Sequence, residues 1–117
     1  MGYWVYLARC GNDTIYTGAT TDVLRRVREH NSGSSGGKGA KYTAAHRPVT
    51  LAQAWEVCSW SDALRLEYAI KTCSRSVKDQ LIKEPEQINR LAERRKLTFT
   101  IAETTEDLLK LTEPEQV

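Results

Sequence analysis

Residues 3 to 10 read Tyr-Trp-Val-Tyr-Leu-Ala-Arg-Cys and residues 14 to 19 read Thr-Ile-Tyr-Thr-Gly-Ala. Both runs are rich in aromatic and β-branched types, and Gly11-Asn12-Asp13 stands between them, which predicts a β-hairpin. A three-residue loop sets Cys10 opposite Thr14, Ala8 opposite Tyr16 and Tyr6 opposite Gly18. Tyr6 and Tyr16 then project from one face as diagonal neighbours, and Val5, Leu7, Ile15 and Thr17 face the other way. A loop one residue longer or shorter puts the two phenols on opposite faces. Gly18, without a side chain, is expected to leave open space beside Tyr6 for a backbone or ligand.

Thr20-Thr21-Asp22 offers hydroxyl and carboxylate acceptors for the free amides of a helix start, and the helix is predicted to run to about Asn31. Val23, Leu24 and Val27 form its inward stripe; Arg26 and His30, four apart, point in roughly one direction. Arg25 and Glu29 are placed for an exposed pair. Residues 31–48 are too rich in Gly and Ser for regular structure and exceed the usual connection length. Val49 to Cys58 resumes β character around Leu51, Ala54, Trp55 and Val57. Ser61-Asp62 is then expected to cap a helix through about Cys73, with Ala63, Leu66, Ile70 and Cys73 as its buried stripe. Glu67 falls inside that stripe, where an ionised carboxylate needs a cation or strong donors. Lys71 at i+4 is the structural partner and a divalent metal the functional one. A short basic helix is predicted over Arg75 to Lys83, and Glu84-Pro85-Glu86 marks a boundary. Residues 86–96 are helix-like, Leu97 to Ile101 alternate as a strand, and Thr105 to Leu111 form a last short helix.

At 117 residues the chain has room for one domain with a modest core. No apolar run approaches the roughly 20 residues of a membrane span. The N-terminus lacks a basic segment followed by a long apolar stretch, so a cytoplasmic setting is expected. Cys10, Cys58 and Cys73 include no Cys-x-x-Cys pair; they are expected to be reduced and mostly buried, a metal site with His30 and His46 being the alternative. The net charge of +2 hides an asymmetry: residues 1–83 hold 12 Lys or Arg against 7 Asp or Glu, residues 84–117 hold 5 against 8. Residues 22–47 hold 6 against 2, enough to steer a polyanion toward this region. Within it Lys38, Lys41, Tyr42, His46 and Arg47 interleave cations with a ring, a pattern suited to gripping phosphates while stacking a base. A solvated basic face and an incidentally charged linker are the structural alternatives. The acidic tail, with Leu97, Phe99, Ile101, Leu108 and Leu109, reads as an extension that packs on the domain or mediates a contact.

Trp4-Val5-Tyr6, Tyr16-Thr17-Gly18, the run Thr-Asp-Val-Leu-Arg-Arg-Val-Arg-Glu-His at 21–30 and Ala-Leu-Arg-Leu-Glu at 63–67 together resemble the GIY-YIG nuclease superfamily. Gly-Ala-Lys-Tyr-Thr at 39–43 and Arg-Pro-Val at 47–49 are further typical of its short stand-alone bacterial members. The resemblance implies an α/β (α+β) module over residues 1–83, with a small three-stranded antiparallel sheet flanked by helices, followed by the extension 84–117. It implies hydrolysis of a DNA phosphodiester with one divalent cation, Mg²⁺ or Mn²⁺, and no organic cofactor. Carried over by motif, Tyr6 and Tyr16 sit around the attacking water, one of them as general base. Arg26 holds the scissile phosphate, His30 assists proton transfer or phosphate contact, and Glu67 ligates the metal. Arg25, Lys38, Lys41, Tyr42, Arg47 and Lys71 are the candidate nucleic-acid contacts. The chain departs from the pattern at Trp4, where the name-giving motif has glycine. It also has no Asn in residues 68–83, where many relatives place one after the metal-ligand helix; Lys71 or Lys78 is available instead.

The leading expectation is a metal-dependent endonuclease acting on single-stranded, damaged or branched DNA, in repair or recombination. A nucleic-acid-binding module with the same fold and little cleavage is the second. An interaction domain recruiting a partner through its acidic tail is the third. Oligomeric state and the choice between DNA and RNA are open at this level.

Overall fold

A computed structural model of the chain describes residues 2–32, 46–94 and 101–102. Its elements are β1 (Tyr3–Arg9), β2 (Ile15–Thr20), α1 (Val23–Ser32), β3 (Thr50–Val57), α2 (Trp60–Lys71), α3 (Arg75–Lys83), a 3₁₀ turn (Pro85–Gln87), α4 (Ile88–Arg94) and β4 (Ile101–Ala102). The strands form one antiparallel sheet in the order β2-β1-β3-β4, so the expected three-stranded sheet gains a two-residue strand on its β3 edge. The stretch Leu97 to Ile101 and the helix at Thr105 to Leu111 lie, apart from Ile101, outside the described residues.

The hairpin closes in the register that a three-residue loop dictates. Tyr6 pairs with Gly18 and Ala8 with Tyr16. The Cys10 amide donates to the Thr14 carbonyl at 2.9 Å, and Asp13 takes the left-handed conformation (φ 64°) that Asp tolerates better than most residues. β1 is the central strand and is buried on both faces. On one face Val5 and Leu7 join Trp55 and Val57 of β3 under Ala63, Leu66 and Ile70 of α2, with Leu81 of α3 and Ile88 and Leu91 of α4 in the same cluster. Each fully buried aliphatic side chain there contributes about 1.5–3 kcal/mol. Trp55 donates its indole N–H to the Pro85 carbonyl at 3.1 Å, and Gln53 donates to the Ile82 carbonyl at 3.3 Å. These bonds pin the turn after α3 to the sheet and satisfy the polar ends of buried side chains. On the other face Tyr6, Ala8 and Cys10 pack with Val49, Ala54 and the α1 residues Val23 and Val27.

Helix boundaries follow their caps. At α1 the Asp22 carboxylate accepts from the Arg25 amide at 3.1 Å. At α2 the cap is Ser59, whose hydroxyl accepts from the Asp62 amide at 3.1 Å, so the helix begins before the expected Ser61. Ser61-Asp62 has the right side chains, but they already lie in the first turn. The expectation of mostly buried cysteines is corrected as well. Cys10 is buried in the second cluster, Cys58 is exposed where β3 gives way to α2, and Cys73 is half-buried past the end of α2.

Candidate active site

α1 and α2 cover opposite faces of the sheet, and both border one cleft with the edge strand β2. The cleft has a volume of about 390 Å³. Tyr6, Tyr16, Arg25, Arg26 and Glu67 line it together with Glu29, Ala19, Thr20, Thr21, Trp60 and Leu64. The fold thus gathers four of the five candidate catalytic residues on one surface, from four different elements. The fifth, His30, lies beneath them: it is 1% exposed, does not line the cleft, and its Nε2 shares a hydrogen bond with the Tyr6 hydroxyl at 2.9 Å. The three rings form a compact group, with centroids 6.2 Å apart for Tyr6–Tyr16 and for Tyr6–His30 and 5.4 Å apart, edge to face, for Tyr16–His30.

The electrostatics of this group are set by burial against one guanidinium. Burial pushes the Tyr6 phenol well above its ordinary value and the neighbouring Tyr16 adds to the rise, while Arg26 opposes both. Burial also raises Tyr16, again opposed by Arg26. The same burial, assisted by Arg26, pushes His30 down to about 4, so its imidazole is neutral at pH 7. Arg26 itself is held by Glu29, with Nη1 and Oε1 3.3 Å apart. Glu29 was expected to pair with Arg25; the i,i+3 geometry instead turns it toward the cleft beside Arg26.

Glu67 is 12% exposed at its side chain, and Lys71 stands 3.8 Å from its carboxylate, an ion pair at a distance beyond hydrogen bonding. Among the described residues no group of three or more His, Cys, Asp or Glu side chains converges on a point, so no protein cage for a metal exists there. Glu29, the other carboxylate of the cleft, pairs with Arg26, and the single carboxylate of Glu67 fits a hard cation such as Mg²⁺, which keeps most of its ligands as water and substrate oxygens.

The remaining expected contacts divide. Arg25 lines the cleft and Lys71 stands beside Glu67. Arg47 is exposed and donates to the Asn31 carbonyl at 3.0 Å, away from the cleft-lining set. Lys38, Lys41 and Tyr42 lie outside the described residues.

Two residues matter in ways their local pattern does not announce. Gly18 does not leave open space beside Tyr6. The Tyr6 ring itself fills that space, and a Cβ on residue 18 would stand 2.6 Å from both its hydroxyl and the carbon that carries it. Gly18→Ala is therefore expected to push Tyr6 off His30 and cost about 1–3 kcal/mol, the usual range for overpacking. Urea denaturation checks this, and stability within about 0.5 kcal/mol of the parent would refute it. Asn31 does more than end the helix. Its amide donates to the Val49 carbonyl at 2.7 Å and its oxygen accepts from the Val49 amide at 2.6 Å, tying α1 to the start of β3 across 18 residues of sequence.

Comparison with known proteins agrees with the fold. The GIY-YIG catalytic domain family matches residues 2–80. A UPF0213 protein of Halobacterium salinarum is 51% identical over 77 residues, covering 66% of this chain and 95% of that protein. A UPF0213 protein of Staphylococcus haemolyticus is 45% identical over 82 residues, covering 70% and 95%. The solution NMR structure of a UPF0213 protein from Bacillus halodurans aligns with 33% identity and a TM-score of 0.45, over 86% of this chain and all of that one. The chain carries a nuclease-type fold and belongs to the GIY-YIG family.

Proposed function

We propose that this protein is a metal-dependent endonuclease that hydrolyses DNA phosphodiester bonds, on single-stranded, damaged or branched DNA in repair or recombination. The observation that supports this reading best is the convergence of Tyr6, Tyr16, Arg26 and Glu67 on one cleft.

Phosphodiester hydrolysis needs an activated water, a clamp on the phosphate and neutralisation of developing charge. Arg26 supplies the clamp: its planar fork offers paired N–H donors to two phosphate oxygens, and an incoming phosphate competes with Glu29 for it. Of the two phenols, Tyr16 is the better proton acceptor, because it is less deeply buried than Tyr6 and lies close enough to Arg26 for the guanidinium to favour its phenolate. Tyr6 is held protonated by burial, tied to a neutral His30 and packed ring against ring on Tyr16, so it positions Tyr16 through that contact. His30 acts through Tyr6, as a positioning residue. Glu67 would hold Mg²⁺ or Mn²⁺, and the cation supplies charge neutralisation and a lowered pKa for bound water. Lys71, 3.8 Å from the Glu67 carboxylate, would add positive charge for the phosphate backbone.

The test is cleavage of labelled single-stranded, duplex and branched DNA with Mg²⁺ or Mn²⁺, comparing the parent with Arg26→Ala and Glu67→Ala prepared identically. Nicking that requires metal and is lost in both variants sustains the reading. Cleavage retained by both refutes the site. Salt-sensitive binding without cleavage assigns the chain to the second class, a nucleic-acid-binding module with this fold.

A further inference from the structure

The exposed face of α2 carries large apolar side chains that the hydrolytic site does not use. Trp60 is 41% exposed, Leu64 44% and Tyr68 68%. At spacings of four they form one stripe that winds slowly around the helix, about 6 Å between neighbours along the axis and about 12 Å in all. Trp60 is buttressed by Tyr3, ring centroids 6.3 Å apart, so its indole is held while one part stays open. The stripe begins inside the cleft, since Trp60 and Leu64 line it with Arg25, Arg26 and Glu67. It leaves the cleft at Tyr68 and ends beside Lys71, which is itself exposed.

We infer that Trp60, Leu64 and Tyr68 form a base-stacking track for unpaired nucleotides running out of the cleft, which makes an unpaired strand the preferred substrate. This rests on the nuclease reading for its placement of the phosphate. A paired base keeps both faces inside its own stack, so only unpaired bases can lie on an open stripe of this kind, and stacking tolerates any base because each has a π-face. Cations stand at both ends of the track, Arg25 and Arg26 in the cleft and Lys71 beyond Tyr68, where a phosphate backbone following the bases passes. The stripe is one side chain wide and flanked by the Glu67–Lys71 and Asp62–Arg65 ion pairs, too narrow and too charged at its margins for the hydrophobic centre of a stable dimer.

The experiment is an anisotropy titration of the full chain, in EDTA to prevent hydrolysis, with three labelled probes. They are a mixed-sequence single strand, the same strand with abasic spacers in its centre, and a blunt duplex. The parent is expected to prefer the intact single strand over the abasic one. Tyr68→Ala, whose side chain is mostly in solvent and adds little to folding, is expected to lose on the order of tenfold affinity for the intact strand and almost none for the other two. Trp60→Ala should do the same and Trp60→Phe should not, since Phe keeps a ring on which a base can stack. Unchanged affinity in Tyr68→Ala, an equal loss on all three probes, or no binding by the parent overturns the track. Self-association that Tyr68→Ala abolishes, in place of base-dependent binding, overturns it in favour of a second copy. Because the titration involves no cleavage, a chain that tells bases from abasic spacers but hydrolyses nothing sustains the track and defeats the nuclease reading. Metal-dependent cleavage with indifferent binding does the reverse.

Discussion

Arg26→Ala is expected to lower the rate of DNA cleavage by about 10²–10³-fold, and Glu67→Ala to reduce it to background, with both variants folded. The guanidinium is the principal influence that opposes burial at both phenols of the cleft. Its loss removes the proposed phosphate clamp and also disfavours the phenolate at Tyr16. A second signature follows: the acid limb of the pH–rate profile of Arg26→Ala should move to higher pH, because the proton acceptor has lost the positive charge that lowered its pKa. Arg26→Lys should recover part of the pH behaviour, since it restores a charge, and little of the rate, since an ammonium cannot form the planar fork. Neither variant should be much less stable, because Arg26 and Glu67 are held by partly exposed ion pairs of small worth. Single-turnover rates across pH, beside thermal melts, decide the matter. An Arg26→Ala enzyme within tenfold of the parent and with the same profile would exclude Arg26 from the chemistry.

Stability is expected to fall as the pH is lowered from about 6.5 toward 4, by about 3 kcal/mol at most, through His30. The sign follows from linkage. The folded-state value of His30 is depressed to about 4, whereas the unfolded chain takes up a proton near 6.5. Across that window the unfolded state binds more protons, so acid favours unfolding; above 6.5 the contribution is fully present. The Tyr6 hydroxyl at 2.9 Å and the Tyr16 ring edge leave no room to solvate an imidazolium. Asp13, held below its ordinary value chiefly by the Arg9 hydrogen bond and by Arg75, is exposed and loses its interactions only at lower pH. Urea denaturation of the parent and of His30→Gln at several pH values from 7 to 4 isolates the effect. Parallel curves for the two proteins would remove His30 as the cause.

The hairpin, the start of α1 and the span of α3 were legible in the residue order because each obeys a short-range rule. Loop length sets strand register and hence that Tyr6 and Tyr16 share a face, and the Asp22 carboxylate reaches an amide only three residues on. The resemblance of the ordered motifs to the GIY-YIG pattern named five candidate residues, four of which line the cleft while His30 lies beneath it. What local rules do not reach is how elements distant in sequence stack. Whether Gly18 opens onto solvent or onto a ring depends on the rotamer that Tyr6 takes toward His30. The use of Asn31 as a clamp depends on where Val49, 18 positions further along the chain, returns to α1, and the choice of Glu29 as the partner of Arg26 depends on which side of α1 faces the cleft. The tertiary structure also decided the protonation of the site. The residue order places two phenols and an imidazole near one guanidinium, but desolvation, which dominates all three, exists only once α1 has closed over one face of the sheet and α2 over the other.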